Sequence, residues 1–145
     1  MIEVGQEAPD FTLRDQNREE FTLSELRGEK AVLIVFYPFA FTGICTGELN
    51  RVRDDLETFQ NDNVQVVTIS CDSVYSHKIF STREEFEFPL LSDFWPHGAV
   101  ASEYGVFNEA AGEFEVRANY GMSEELVAAF QQHHDELSEW LARGR

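Results

Sequence analysis

Hydrophobic and polar positions alternate between strand-like and helix-like patterns along the chain. Two Phe-Thr-Leu triplets flank a polar turn at residues 15–17, which predicts a pair of short strands over Phe11–Leu23. The apolar run Ala31–Tyr37 follows charged residues and ends at Pro38, a pattern typical of a strand buried on both faces. Val64–Ser70 is a second run rich in β-branched residues. The pattern therefore predicts a sheet with buried central strands.

Helical patterns follow both of these runs. Apolar residues recur at spacings of three and four from Gly43 to about Gln60, which predicts an amphipathic helix. Ser73 begins a second predicted helix to about Phe86, with either Ser73 or Asp72 as its N-cap, and Ser123 is the N-cap of a last one. Shorter segments predict strands at 88–91, 105–107 and 114–120, and a helix at 97–104. Strands that alternate with helices indicate one α/β domain spanning residues 1–145.

The composition and the charge narrow the function classes. The chain has 145 residues, of which 43% are hydrophobic, so it is long and apolar enough to form one buried core. It contains no run of 18 apolar residues and no signal-like N-terminus, so we expect no membrane span, no export and a cytoplasmic protein. The formal charge of -16 disfavours binding to nucleic acid or anionic lipid. It fits either a docking face for a basic partner or a solvated surface adapted to high salt.

The two cysteines are Cys45 and Cys71, and neither has a Cys or His neighbour at metal-site spacing. We therefore expect no metal and no cofactor. Cys45 falls in the first turn of the predicted helix, where free N–H groups and the helix dipole favour a thiolate. Position alone leaves two interpretations open, a reactive thiol or a small buried apolar residue.

The stretch Pro38-Phe39-Ala40-Phe41-Thr42-Gly43-Ile44-Cys45 decides between them. Its P-x-x-x-T-x-x-C arrangement resembles the active-site signature of peroxiredoxins. The opening GQEAPDFTLRDQN resembles the start of these proteins, and PLLSDFWPHGAVASEYGVFNEAAG is similar to the one-cysteine alkyl hydroperoxide reductase E type. The resemblance covers residues 1 to about 112, whereas residues 112–145 depart from the family pattern.

The resemblance implies a thioredoxin-like fold, with a central mixed sheet flanked by helices and a shortened C-terminal hairpin. It also implies a thiol-dependent peroxidase that reduces hydrogen peroxide and organic hydroperoxides through a sulfenic acid on Cys45. Thr42 would hydrogen-bond the peroxide, Pro38 would shield the sulfur, and Glu48 would support the hydrogen-bond network. An external thiol, or a thioredoxin-like or glutaredoxin-like protein, would be the reductant.

The sequence leaves two roles open, those of Arg117 and Cys71. The family places an arginine near the thiolate, and the candidate for it here is Arg117. Arg117 lies about one residue out of register with the family pattern and could equally be a surface residue. If it is absent from the site, the chain would be a catalytically weakened relative that acts as a peroxide sensor or binding partner. Cys71 is either a resolving cysteine or a buried residue at a strand end. The resemblance also implies a homodimer, with Phe39, Phe94 and Trp95 as candidate interface residues. For Phe39, simple core packing is an equal alternative.

Overall fold

The computed structural model describes residues 2–108 and 113–114, and a five-stranded mixed sheet dominates this part of the chain. Its first two strands are β1 (Thr12–Arg14) and β2 (Glu20–Thr22), which pair antiparallel. The turn between them is closed by Asp15, whose Oδ1 accepts the backbone N–H groups of Asn17 at 2.8 Å and Glu19 at 3.0 Å. The hairpin that the two Phe-Thr-Leu triplets predict is confirmed.

Three parallel strands form the rest of the sheet. They are β3 (Ala31–Phe36), β4 (Val64–Ser70) and β5 (Leu90–Ser92), and the strand order is β2-β1-β5-β4-β3. β4 lies between β3 and β5 and is parallel to both, and β1 pairs antiparallel with β5 on the side away from β4. Parallel central strands are buried on both faces, which explains the continuous apolar runs in the sequence. The predicted strand at 88–91 is displaced to residues 90–92.

Four α-helices flank the sheet in the described part of the chain, and a short 3-10 helix (Leu23–Leu26) follows β2. The α-helices are α1 (Gly43–Asp54), α2 (Leu56–Phe59), α3 (Val74–Glu84) and α4 (Ala99–Glu103). Ser73 caps α3 by accepting the N–H of Ser76 at 3.2 Å, as its position in the sequence predicts. A short hairpin of β6 (Phe107–Asn108) and β7 (Glu113–Phe114) follows.

Two helix predictions need correction. The helix predicted from Gly43 to Gln60 is interrupted at Asp55, whose ψ of 26° lies outside the helical range. Aspartate is a poor helix former. The apolar spacing therefore continues past Asp55, whereas the helical backbone is interrupted there. The helix predicted at 97–104 is also shorter, because Gly98 precedes it in the left-handed conformation. The predicted strand at 114–120 beyond Phe114, and the last helix, lie outside the described residues.

The sheet separates two apolar clusters, because successive side chains of a strand point to opposite faces. We call the side covered by α1, α2 and α3 the α1 face, and the side covered by α4 the α4 face. Along β4, Val66 belongs to the α1 face, whereas Val67 and Ile69 belong to the α4 face. Cys45 lies in the cluster of the α1 face.

Candidate active site

The candidate site lies at the edge of the sheet where the three parallel strands end. Pro38 follows β3 after one residue, Cys71 and Asp72 follow β4 directly, and Asp93 follows β5. Binding sites of parallel α/β sheets are usually found outside the carboxyl ends of the strands. The topology therefore brings the predicted active-site loop and the residue after β4 to one place.

Cys45 is the third residue of α1, as the sequence predicts. The N-cap is Thr42, whose carbonyl accepts the N–H of Thr46 at 2.9 Å, but whose side chain makes no capping hydrogen bond. The first N–H groups of a helix have no intrahelical acceptor, and here no N-cap side chain occupies them. The amino end of α1 can thus stabilise a negative charge at the sulfur or on a bound oxygen.

The hydroxyl of Thr42 can serve two acceptors. It donates a hydrogen bond to the carbonyl of Phe39 at 3.0 Å, and it also lies within hydrogen-bonding range of the Cys45 thiol. A hydroxyl has one proton to donate, so the bond to Phe39 competes with a bond to the sulfur. Rotation of this one side chain can direct the proton to a thiolate or to a peroxide oxygen.

The loop before α1 has a strained backbone position. Phe41 has a φ of 67°, in the left-handed region that non-glycine residues seldom adopt. Its ring packs on Phe80 of α3, with 5.0 Å between the centroids, and the Arg83 guanidinium lies 4.9 Å from the Phe41 ring centroid. Pro38 is half-buried at the start of the same loop. Contacts with α3 therefore hold the loop in an unfavourable conformation.

The described surroundings of Cys45 oppose ionisation of its thiol. The side chain is only 4% exposed, and burial raises the pKa of the thiol above its usual value. Hydrogen bonds from Thr42 and the backbone of Phe39 lower the pKa, whereas the carboxylates of Glu48 and Asp72 raise it further. The helix terminus predicts a lowered pKa, so the structure differs here from the sequence expectation. A neighbouring cation would reverse the balance, and Arg117, the candidate for that role, lies outside the described residues.

Cys71 occupies a different environment. It is 5% exposed, and burial together with the charges of Asp93 and Asp72 raises the pKa of its thiol to about 12. Its backbone hydrogen-bond donor is Gly98, which precedes α4. Cys71 is therefore on the α4 face, across the sheet from Cys45, and both thiols are free. This arrangement favours the interpretation of Cys71 as a buried strand-end residue.

A buried polar cluster beneath the loop was missed in the sequence analysis. It consists of Tyr37, Ser70, Asp72 and His77, and it connects the ends of β3 and β4 to α3. The available signal was Ser70, a polar residue at the end of an otherwise apolar strand run, followed closely by Asp72 and His77.

The three candidate interface residues are exposed. Phe39 is 51%, Phe94 53% and Trp95 84% exposed, and they lie in the loops that follow β3 and β5. Such exposure of large aromatic side chains is typical of surfaces that bind a partner. Within residues 2–108 and 113–114, no group of three or more His, Cys, Asp or Glu side chains could hold a metal ion. No helix in this same part is long and apolar enough to cross a bilayer.

Comparisons with known proteins agree with this geometry. The model of the AhpC/TSA family matches residues 4–137. Alkyl hydroperoxide reductase E of Mycobacterium tuberculosis is 59% identical over 112 residues, which is 77% of this chain and 73% of the relative. Chloroplastic peroxiredoxin Q of Populus jackii is 35% identical over 126 residues, covering 87% of this chain and 58% of that protein.

Solved structures give the same result. Peroxidoxin BcpB from Mycobacterium tuberculosis superposes with a TM-score of 0.67 at 35% identity, over 76% of this chain and 70% of the other. A peroxiredoxin Q from Xanthomonas campestris superposes with a TM-score of 0.62 at 30% identity, over 68% of this chain and 60% of the other. Both likenesses support the thioredoxin-like fold that the resemblance implies.

A mixed sheet with this order, and a cysteine at the amino end of the helix after its edge strand, define a thioredoxin-like redox protein. The family match extends over most of the sequence, and the chain belongs to the AhpC/TSA family. It is a peroxiredoxin, that is, a thiol-dependent peroxidase.

Proposed function

We propose that this protein reduces hydrogen peroxide and organic hydroperoxides with Cys45 as the peroxidatic residue and an external thiol as the reductant. The observation that carries the proposal is the position of Cys45 in the first turn of α1, where no N-cap side chain occupies the amides and where the Thr42 hydroxyl lies within reach. Both features stabilise negative charge on sulfur and on the oxygens of a bound peroxide.

In the proposed reaction, the Cys45 thiolate attacks the terminal oxygen of the peroxide in line with the O–O bond. An S–O bond forms while the O–O bond breaks, so sulfur is oxidised to a sulfenic acid and the peroxide is reduced. The departing oxygen takes a proton and leaves as water or an alcohol. The Thr42 hydroxyl donates a hydrogen bond to the peroxide instead of to the carbonyl of Phe39, so that one hydrogen bond replaces another.

Regeneration would need a thiol from outside the chain. Cys71 lies on the α4 face with a pKa raised to about 12, so its reactive thiolate is scarce at neutral pH and the sheet stands between it and Cys45. One external thiol condenses with the sulfenic acid to a mixed disulfide and releases water. A second thiol then reduces this disulfide and frees Cys45. A thioredoxin-like or glutaredoxin-like protein, or a small thiol, fits this scheme.

The homodimer also belongs to the proposal. Phe39 and the pair Phe94 and Trp95 lie at the same edge of the sheet as the Cys45 loop and expose more than half of each side chain. Burying these aromatics against a second copy would remove apolar surface from water close to the site. A Trp95→Glu variant that stays dimeric in analytical ultracentrifugation would exclude this surface as the interface.

Stopped-flow oxidation of the reduced protein by hydrogen peroxide and by an alkyl hydroperoxide tests the proposal. We expect a reaction far faster than that of free cysteine, followed by loss of one thiol per chain. Cys45→Ser should abolish the reaction, and Cys71→Ser should retain it. A wild-type rate no greater than that of free cysteine contradicts the assignment.

A second candidate function is that of a catalytically weakened peroxide sensor. It is favoured by the charges that act on Cys45 within the described part of the chain, where Glu48 and Asp72 both raise the pKa of the thiol. Slow oxidation with a thiol pKa near or above its usual value would support the sensor. Fast oxidation with a lowered pKa would support the peroxidase.

A further inference from the structure

Asp72 connects the end of β4 to the active-site loop. Its carboxylate oxygen Oδ2 accepts the backbone N–H of Ala40 at 2.8 Å. Ala40 is buried in the middle of the loop that runs from Pro38 to Thr42. Hydrogen bonds to an ionised acceptor are about twice as strong as neutral ones. A charge-assisted hydrogen bond to Asp72, which follows β4, therefore holds the loop before α1 in place.

The same oxygen is part of a longer chain of hydrogen bonds. The Ser70 hydroxyl donates to Oδ2 of Asp72 at 2.7 Å, and Nε2 of His77 lies 2.6 Å from the Ser70 oxygen. Ser70 therefore links the imidazole of His77 to the carboxylate of Asp72.

The network ends in well-packed side chains. His77 has no exposed surface and belongs to α3, and the Tyr37 hydroxyl, which is equally buried, lies 3.1 Å from its Nε2. Burial lowers the pKa of His77 to about 4, so the imidazole is neutral at physiological pH. Buried hydrogen-bond networks of this kind rigidify their surroundings.

We propose that Asp72 is a positioning residue for the peroxidase reaction, whose carboxylate holds the Ala40 amide and thereby sets the geometry of the loop that presents Thr42 and the amino end of α1 to the peroxide. The inference rests on the proposed function of Cys45. It adds a residue that contacts neither the sulfur nor the substrate and that acts through the loop.

The carboxylate has an electrostatic cost at this place. The titratable groups on which its charge acts are Tyr37, Cys45, Cys71 and His77, and it raises the pKa of the Cys45 thiol. An aspartate here is therefore unfavourable for thiolate formation and favourable for holding the loop. These opposite effects make the two roles separable by substitution.

Two rate constants of Cys45 separate the electrostatic effect of Asp72 on the thiol from its effect on the loop. The reaction with iodoacetamide measures the supply of thiolate, whereas the reaction with hydrogen peroxide also requires the loop and Thr42 in place. The ratio of the two constants, measured above the thiol pKa, reports positioning alone. We expect Asp72→Ala to lower this ratio on the order of 10²-fold, since small misplacements of reacting groups cost that much. We expect Asp72→Asn, which keeps an acceptor for Ala40, to restore most of it and to lower the thiol pKa.

Asp93→Asn is the matched control. Asp93 is a buried carboxylate at the same edge of the sheet, but its oxygens accept the N–H groups of Val100 and Ala101 on the α4 face. This variant should leave the ratio unchanged. A ratio in Asp72→Ala equal to that of the wild type overturns the inference, as does a loss in Asp72→Asn as large as in Asp72→Ala.

Two further measurements keep the inference independent of folding and of the peroxidase assignment. Ser70→Ala removes one bond to the carboxylate and should lower the ratio about fivefold, the equivalent of one ordinary hydrogen bond. If Asp72→Ala does not fold, an unchanged ratio in Ser70→Ala overturns the inference. Hydrogen exchange of the Ala40 amide should be slow in the wild type and fast in Asp72→Ala even if peroxide reacts slowly. Equal exchange would contradict the role of Asp72, whereas a slow wild-type peroxide reaction contradicts only the proposed function.

Discussion

The two cysteines of this chain lie at the same edge of the sheet, yet their surroundings differ. Cys45 lies on the α1 face in the first turn of a twelve-residue helix, with Thr42 and a strained loop beside it. Cys71 lies on the α4 face directly after β4, near Gly98 and Asp93. Both are almost fully buried, so exposure does not distinguish them.

The difference lies in what surrounds each sulfur. At Cys71 burial and two carboxylates raise the pKa to about 12. At Cys45 burial and the carboxylates of Glu48 and Asp72 also raise the pKa, but hydrogen bonds from Thr42 and from the backbone of Phe39, together with the helix terminus, stabilise the anion. Burial alone makes a cysteine inert, and reactivity requires groups that stabilise its anion. The comparison therefore supports the proposal that Cys45 carries the chemistry and that Cys71 is a packing residue.

Exchange of each cysteine for serine should give the largest contrast. Cys45→Ser removes the nucleophile and should reduce the peroxide reaction on the order of 10³-fold or more. Cys71→Ser should change it by no more than about twofold, because its sulfur takes no part in the reaction. Stopped-flow measurement of both variants checks this, and comparable losses in the two would remove the distinction.

Arg117 and Arg83 provide the next contrast. If Arg117 supplies a cation beside the thiolate, Arg117→Ala should slow the peroxide reaction about 10²- to 10³-fold, as expected for loss of a preorganised charge. It should also raise the pKa of Cys45, measured by the pH dependence of alkylation. Arg83→Ala is the control, because Arg83 lies over the Phe41 ring. Its loss should lower the peroxide rate constant only about threefold. Equal rates for wild type and Arg117→Ala would contradict a role of Arg117 in the reaction.

Acid should weaken the α1 face through His77. Its pKa is lowered to about 4 by burial, below the usual value of 6.5, so the unfolded chain binds the proton more readily than the folded one. The contribution of His77 is therefore fully present above pH 6.5 and is lost as the pH falls towards 4. The difference corresponds to about 3 kcal/mol. Urea unfolding at several pH values should show this loss, and His77→Gln should flatten it. A His77→Gln variant with the pH dependence of the wild type would contradict the assignment.

The smallest effect is expected on the α4 face. Gly98 has a φ of 68°, and a Cβ there would lie 3.0 Å from ring atoms of Phe107. Gly98→Ala should destabilise the fold by about 1–2 kcal/mol through this strain. The peroxide rate constant should not change, because the contact lies across the sheet from Cys45. Thermal unfolding and stopped-flow kinetics on one sample test both halves of the prediction.

The sequence predicts the framework better than its details. The β1–β2 hairpin and the Ser73 cap depend on local chemistry, so a short stretch of sequence is sufficient to predict them. Periodicity alone does not predict the interruption at Asp55, because the apolar spacing continues past this poor helix former, nor does it predict the exact start of β5.

The candidate site divides in the same way. The position of Cys45 after a buried strand and at the start of a helix was predictable from the pattern, and Thr42 from its spacing to the cysteine. The hydrogen bond from Ala40 to Asp72 joins residues 32 apart in sequence, and the contact between Tyr37 and His77 joins residues 40 apart. Such contacts follow from strand order and not from any local motif. The opposing charges around the thiol were hidden for the same reason.

Oxidation of the wild-type protein with one equivalent of peroxide, followed by mass spectrometry, tests the central claim most directly. With a sulfenic-acid trap such as dimedone present, we predict one adduct per chain, located on Cys45, and an unmodified Cys71. An adduct on Cys71, or an intact mass that shows the loss of two hydrogens from an internal disulfide, would contradict it.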